Sequence, residues 1–409
     1  MSDAEFGYPE EIEEIRHGVA AFIRREVIPR HEANIALFED SRQFFGPDGR
    51  RADAVSELVA QVREASAVAG YYTMCVPEEL GGGGLGFQAY FAAWERVYHM
   101  CASQIYLGQH IISHWATGPS PVLNDLTARA SEEILEPLMA GTKTMCFGLS
   151  EPNAGSDATM ITTRATADGT GWRISGTKIW TTNSPHADYV IVFAVADSLD
   201  GTDGGISAFL VPTDSPGFQV TQIVRMWGSP GGDEAVLTFD DVAVEPYQLV
   251  GRLGRGFATA MLGVNLGRIY NAARAVGTAR WALEKAFDYV KVRKAFGSTL
   301  AEFQGVTFPL ADSLTDIHAA RLMAVNATRM LDAGLSARKE VSMAKGFAVR
   351  SGALAVDRAI QAHGAMGVTN EMHLTAAYTS LRNVNIADGS NEILLRTIVK
   401  EALSGDIGI

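Results

Sequence analysis

The feature that most constrains this 409-residue chain is a hydrophobic period that changes twice along its length. The stretch "EIEEIRHGVAAFIRREVIPRHEA" (11–33) carries apolar residues at three- and four-residue spacing, as do 53–68 and 87–116, so residues 11–140 read mainly as helix. From about Thr144 the pattern becomes short β-rich runs, "TRATADGTGWRISGTKIWTTN", "YVIVFAVAD", "ISAFLVPTD" and "AVLTFDDVAV", parted by turns such as "DGTG" and "DGTDGG". No helical stretch between them is long enough for a β-α-β unit, which predicts a compact antiparallel sheet rather than a doubly wound one. After "GRLGRGF" the helical period returns. Leu262, Leu266, Ile269, Ala273, Val276, Leu283, Phe287 and Val290 mark one stripe, and 304–333 and 339–363 repeat the pattern. The expected fold is α+β and multidomain: an N-terminal helical domain (1–143), a middle β domain (144–255) and a C-terminal bundle resembling four helices (256–409). Pro309, inside the second C-terminal helix, should kink it or mark its first turn.

Composition narrows the function classes. With 47% hydrophobic and 20% charged residues the chain has material for a large core, and its net charge of −13 disfavours nucleic acid or an anionic membrane as partner. The longest stretch free of Asp, Glu, Lys and Arg, 100–124, is rich in Gln, Ser, His, Gly and Pro and fails as a membrane span. The acidic start "MSDAEFGYPEEIEEIRHG" has the make-up of neither a secretory signal nor a transit peptide, so the expected location is the cytoplasm. Cys75, Cys101 and Cys146 form no C-x-x-C pair and read as reduced thiols, and the nine histidines show no metal-binding spacing, so no metal is expected.

In "VPEELGGGGLGF" (76–87), Gly81, Gly83 and Gly86 fall at the G-x-G-x-x-G spacing of a dinucleotide pyrophosphate loop. That reading needs a strand before the glycines, for which "YYTMCV" is the candidate, and a second strand ending in an acidic residue about 20 positions on. The glycines lead instead into one long helical pattern, and Glu78 and Glu79 place negative charge beside the supposed phosphate site. The alternative is a flexible loop between helices.

Two stretches of the β region carry chemistry. "CFGLSEPNAGSD" (146–157) reads as a strand running into a Gly/Ser/Asn turn whose backbone N–H groups and Ser156 hydroxyl suit a phosphate. "GTKIWTTN" (176–183) sets Trp180 beside Thr181 and Thr182. Each alone is equally an ordinary hairpin with a core tryptophan. In this order within an α–β–α chain, they resemble the acyl-CoA dehydrogenase family, whose pattern is close to TEPxAGSD followed by KxWITN. Further matches are "PEELGGGGLGF", "RKAFG" (293–297) followed by Gln304, "QAHGAMG" (361–367), and "IADGSNEI" (386–393), which is similar to the family's catalytic YEGTSEI. The resemblance spans essentially the whole chain.

It implies FAD rather than NAD. By resemblance Trp180 forms the flavin's apolar wall, the Thr182 hydroxyl faces N5, and Phe147, Leu149, Ser150 and Ser156 run along the pyrimidine edge to the pyrophosphate. The adenine end, held in the family by the neighbouring subunit, falls to Arg293, Phe296 and Gln304, with Gln361 and Gly364 on the same path and Ser390 and Glu392 also on the cofactor side. A homodimer is then the minimum assembly, and a homotetramer is the family's usual one. The implied reaction is α,β-dehydrogenation of an acyl-CoA to the trans-2-enoyl thioester, with electrons passed to a carrier such as electron-transferring flavoprotein. An enolate-like oxygen must be stabilised, in relatives by a flavin ribityl hydroxyl and by the backbone N–H of the residue matching Asp388.

Here the family's catalytic Glu is replaced by Asp388, which shortens the base by roughly 1.5 Å, and misplacements of ~1 Å can cost about a hundredfold in rate. The alternative base position on the preceding long helix is Gly267, so Asp388 is the candidate base. Ser156, Asn265, Arg268 and Gly389 match substrate-side positions. Arg268 also reads as an ordinary helix-surface ion-pair partner, and Asn265 stands where relatives often carry Asp. Ala295, Ala365 and Thr379 depart from the family's cofactor pattern. Two other readings stay open: a flavin oxidase resembling nitroalkane oxidase, and a flavin-bound partner subunit without turnover.

Overall fold

The computed structural model of the chain describes residues 8–199 and 204–408. In chain order the principal helices are α1 (Glu10–Phe22), α2 (Asp53–Val68), α3 (Phe87–Cys101), α4 (Gly256–Val292), α5 (Gln304–Asp332), α6 (Arg338–His363), α7 (Leu374–Val384) and α8 (Asn391–Leu403). The strands are β1 (Met145–Gly148), β2 (Arg164–Asp168), β3 (Gly171–Thr182), β4 (Tyr189–Ala196), β5 (Gly205–Pro212), β6 (Phe218–Ile223), β7 (Glu234–Val244), β8 (Leu249–Val250) and the short pair β9 (Lys294–Ala295) and β10 (Ser298–Thr299). The described chain divides into two compact units, and the N-terminal helical stretch contributes to both.

One unit comprises Ala33–Leu85 and His110–Val264. Its sheet runs β6-β7-β3-β2-β4-β5-β8, with β1 against β4. The sheet is mixed rather than wholly antiparallel, because β1 and the start of β2 both pair parallel with β4. β4 is buried on both faces: Tyr189, Ile191 and Phe193 join one apolar cluster and Val190, Val192 and Ala194 the other. That double burial explains why "YVIVFAVAD" reads as a continuous apolar run. The "DGTG" turn joins β2 to β3 as expected, whereas most of the "DGTDGG" turn, residues 200–203, lies outside the described residues, as does the acidic start 1–7.

The other unit comprises Met1–Glu32, Gly86–Gln109 and Asn265–Ile409. Of the expected stripe on α4, Leu266, Ile269, Ala273, Val276, Leu283 and Val290 are buried, while Leu262, across the unit boundary, is exposed. Trp94 and Tyr98 of α3 pack against Tyr270 of α4, with ring centroids 4.8 and 5.8 Å away. Pro309 sits in the second turn of α5, four residues after Gly305, so the helix continues through it at the loss of one backbone hydrogen bond.

The helix expected over 87–116 stops at Cys101. Ala102 adopts φ 43°, and the chain turns back until a Cβ on Gly108 would lie 2.5 Å from Cys101 Sγ. The apolar spacing beyond that point serves a folded-back loop with a short 3-10 turn at Tyr106–His110. Among the described residues no helix is long and apolar enough to cross a membrane.

Candidate active site

The glycine run is no dinucleotide cradle. "YYTMCV" forms turns, not a strand. The loop after it is hydrogen-bonded to that segment, Gly83 N–H to Thr73 O, Gly84 N–H to Val76 O and Leu85 N–H to Met74 O, so it is a tied rather than a loose connection. The N-terminus of α3 is already occupied by a carboxylate of its own unit. Asp332 accepts from Phe87 N–H at 2.6 Å and from Gln88 N–H at 2.9 Å, the position a pyrophosphate would need.

In the sheet unit, one buried ion pair organises both stretches singled out from the sequence. Lys178 of β3 is fully buried, and its Nζ donates to Glu151 Oε1 at 2.8 Å and to the Leu149 carbonyl at 3.1 Å. Glu151 also accepts from the N–H and hydroxyl of Thr162 and of Thr163. Burial alone would raise its carboxyl, but the hydrogen bonds from Lys178, Thr163 and the Thr162 N–H outweigh it and hold the group down at about 2. The loop from Leu149 to Thr163 is thereby pinned, with Ser150 half-buried and Ser156 exposed. Leu149 is buried and Phe147 packs edge-on to Trp115 and against Phe193, so these two side chains belong to the core and only their backbone lies along the loop.

Two residues past Lys178, Trp180 has φ 62° at an irregularity in the β3–β7 register and is 56% exposed. Thr182 is exposed beside it. Asn183, at φ 66°, donates to Met145 O at 3.0 Å and accepts from Arg51 at 3.2 Å, which ties the end of β3 to the start of β1. An exposed tryptophan held in a left-handed conformation gains nothing for the fold; such strain concentrates at functional positions.

In the helical unit, Asp388 sits in the turn between α7 and α8 at φ 55°. Its carboxylate Oδ2 accepts from Asn271 Nδ2 at 2.7 Å, and its carbonyl accepts from Arg268 Nε at 3.2 Å. Lys345 of α6, fully buried, donates to the carbonyls on either side, Ala387 at 2.9 Å and Gly389 at 2.8 Å. Burial raises the Asp388 carboxyl to about 6 against the opposing pull of Lys345, Arg268, Asn271 and Arg274. The Asp388 N–H has no acceptor among the described residues. Arg268 is buried and anchored by Asn265 Oδ1 at 3.1 Å, so it is no surface ion-pair partner. Ser390 occupies the N-cap position of α8 without a side-chain cap bond, and Glu392, fully exposed, has its carboxyl lowered by its own N–H and by Ser390.

The expected adenine-side residues are all on the surface. Arg293, Phe296, Gln304, Gln361 and Gly364 are exposed; Phe296 is 99% so, at φ 51° on the tip of the β9–β10 hairpin. That hairpin is fixed by Leu300 N–H to Arg293 O at 2.8 Å and by a reciprocal Thr299–Glu302 cap. Trp180, Phe296 and Asp388 are three of only eight non-glycine residues with positive φ among those described, which sets these positions apart from the bulk of the chain.

Sequence reasoning missed Asn271, Lys345 and the Glu151–Lys178 pair. A signal for the first was present: Asn265, Arg268, Asn271 and Arg274 recur every three residues through the mostly apolar first part of α4. Glu151 and Lys178 lie within the two quoted motifs, but nothing local pairs them across 27 residues, and nothing local marks Lys345, whose acceptors lie 42 and 44 residues away.

Residues 9–142, 146–242 and 254–403 match, respectively, the family models for the N-terminal, middle and C-terminal domains of acyl-CoA dehydrogenase. The chain is 33% identical over 375 residues to the 3-(aryl)acrylate reductase of Clostridium sporogenes, covering 91% of this chain and 98% of that protein. It is 37% identical over 344 residues to the mitochondrial short-chain specific acyl-CoA dehydrogenase of Bos taurus, covering 82% of this chain and 80% of that one. A solved structure described as the electron transferring flavoprotein of Acidaminococcus fermentans, in work on flavin-based electron bifurcation, shares 30% identity at TM-score 0.80, over 98% of this chain and 100% of its own.

Proposed function

The chain belongs to the acyl-CoA dehydrogenase family, and from that premise we propose that it oxidises an acyl-CoA at Cα–Cβ with Asp388 as the base. It is an oxidoreductase acting on CH–CH groups. The observation that carries the role of Asp388 is its poise: a carboxyl raised to about 6, held on one oxygen by Asn271 and on its backbone by Arg268. Such a group is ionised near neutrality yet basic enough to take a weakly acidic α-proton. Its N–H, without an acceptor among the described residues, is suited to stabilise the developing thioester oxyanion.

The sheet unit fits FAD. A flavin needs an apolar wall and hydrogen-bond donors, and exposed Trp180 stands beside exposed Thr182, with Ser150 and Ser156 on the pinned loop. Arg293, Phe296 and Gln304, with Gln361 and Gly364, serve the adenine end of a neighbouring copy, which makes a dimer the smallest competent form and a tetramer the expected one. Bound FAD supplies the acceptor for the hydride that leaves Cβ; the chain's own residues bind and orient the acyl group and move its α-proton to Asp388. Electrons then pass to an external flavoprotein carrier. We place the protein in the cytoplasm, in keeping with three free cysteines, and set its module boundaries near residues 143 and 255.

Asp in place of Glu requires the substrate or backbone to approach by roughly 1.5 Å. A second reading is reduction of a 2-enoate, favoured by the name of the Clostridium relative; it runs the same CH–CH chemistry backwards with Asp388 as proton donor. The deciding experiment is anaerobic bleaching of the bound flavin by acyl-CoAs of varied length and branching, together with Asp388→Asn. Bleaching by one acyl class, slowed at least a hundredfold in Asp388→Asn, is expected. A protein that is colourless after reconstitution, or an Asp388→Asn variant that bleaches at the parent rate, overturns the proposal, and rapid reoxidation by air would instead indicate an oxidase.

A further inference from the structure

The sequence leaves a difficulty that the helical unit answers. A base one methylene shorter than usual has its carboxylate drawn back toward the backbone, where its two oxygens rotate unless something fixes them. Asn271 is 2% exposed and lies one turn along α4 from Arg268. The two residues hold one aspartate at two points: Arg268 takes the Asp388 carbonyl at 3.2 Å and Asn271 takes carboxylate Oδ2 at 2.7 Å. Lys345 binds the carbonyls of Ala387 and Gly389, so the backbone cannot rotate to compensate.

We infer that Asn271 is a positioning residue for the base: by engaging Oδ2 it fixes the plane of the carboxylate and leaves Oδ1 as the atom that receives the α-proton. The inference rests on Asp388 being the base. An amide at 271 is suited to this because it donates without charge. A lysine or arginine there would hold the carboxylate too far toward its ionised form, and a carboxylic acid would compete for the proton. The charged groups facing Asp388 are Arg268 and Arg274 from α4 and Lys345 from α6, all cationic. The donor from Asn271 adds to their pull and opposes burial. In the direction of proton transfer, the pair on Oδ1 forms the new O–H bond as the α-C–H bond breaks, and Asn271 keeps its own proton throughout.

The test uses the flavin-loaded enzyme with Asn271→Leu, which preserves shape without donors, and Asn271→Asp, which preserves size and places a second carboxylate on the first. Two readouts are taken. One is the pH profile of kcat/KM. The other, independent of turnover, is infrared titration of the protonated carboxyl band of residue 388, assigned by its loss in Asp388→Asn. Expected are an upward move of the Asp388 midpoint by roughly one unit in Asn271→Leu and further in Asn271→Asp, with kcat down about ten- to a hundredfold and KM little changed. Should Asn271→Leu fail to hold flavin, the near-isosteric Asn271→Asp alone decides. Midpoints and kcat that stay at parent values in a folded, yellow variant overturn the inference while leaving Asp388 as base. Full activity in Asp388→Asn overturns both.

Discussion

Burial makes the ionised Asp388 carboxylate costly at the position proposed for the base. A carboxyl raised from an ordinary 3.8 to about 6 favours the protonated protein, so its contribution to folding is present below pH 4 and is lost as pH rises through 6. A shift of that size corresponds to about 3 kcal/mol at pH 8, to which the left-handed φ adds its own strain. Asp388→Asn keeps the shape and removes the charge. It is expected to be more stable than the parent at pH 8 by up to about 3 kcal/mol and equal to it at pH 4, read by denaturant titration at the two pH values. A gain that does not depend on pH would mean that the side chain is solvated in the folded state. The resemblance singled out residue 388 as the candidate base from the sequence, with Asp where the family pattern has Glu. Its contact with Asn271 was not legible, because it spans 117 residues and its only local trace is a polar ladder in the first, mostly apolar part of α4.

At the scale of elements, the strand β3 that carries Trp180 and Thr182 also anchors the loop between β1 and β2 from beneath. The anchor is Glu151 on fully buried Lys178, and a buried pair that loses one partner leaves an uncompensated charge in a dry interior. Glu151→Gln is expected to cost about 3–5 kcal/mol in unfolding free energy and to release bound flavin, while Lys178→Met combined with Glu151→Gln costs less than Glu151→Gln alone. If the double variant is as unstable as the single one, the loss comes from the threonine hydrogen bonds to Glu151 and not from the charge on Lys178. Elements with a clean period were readable: β3, β4, β5, β7 and α4 to α6 follow their runs. The failures have definite causes. The spacing beyond Cys101 continued apolar, but Ala102 at positive φ and the close approach of Gly108 reverse the chain. The glycine fingerprint, set aside in the sequence because no second strand follows it, has a further obstacle that sequence does not show: Asp332, 245 residues away, caps the helix it opens.

For the whole molecule, three periodic segments fold into two compact units, and the N-terminal helices are divided between them: α1 and α3 join the C-terminal helices, while α2 joins the sheet. Period alone cannot foresee that, since it records what a segment buries and not against which partner. The hairpin bearing Phe296 is fixed by its own cap and backbone bonds, yet it displays an almost fully exposed aromatic ring beside exposed Arg293 and Gln304. In the proposed dimer, this Arg/Phe/Gln tip presented to a second copy suits a nucleotide end: the guanidinium for phosphate, the ring for stacking on adenine. If so, a flavin-deficient variant in the strand, Trp180→Ala, and one in the hairpin, Arg293→Ala, are defective in different copies of the same site. Co-expressed from one cell, they should form heterodimers in which one of the two sites is intact, restoring roughly a quarter of parental flavin content and activity across the mixed population. Equal amounts of the two variants purified separately and mixed at the assay should show only the average of the pair. Co-expressed protein that does no better than that average would place both residues at the same site within one chain, and the requirement for a dimer would fall with it.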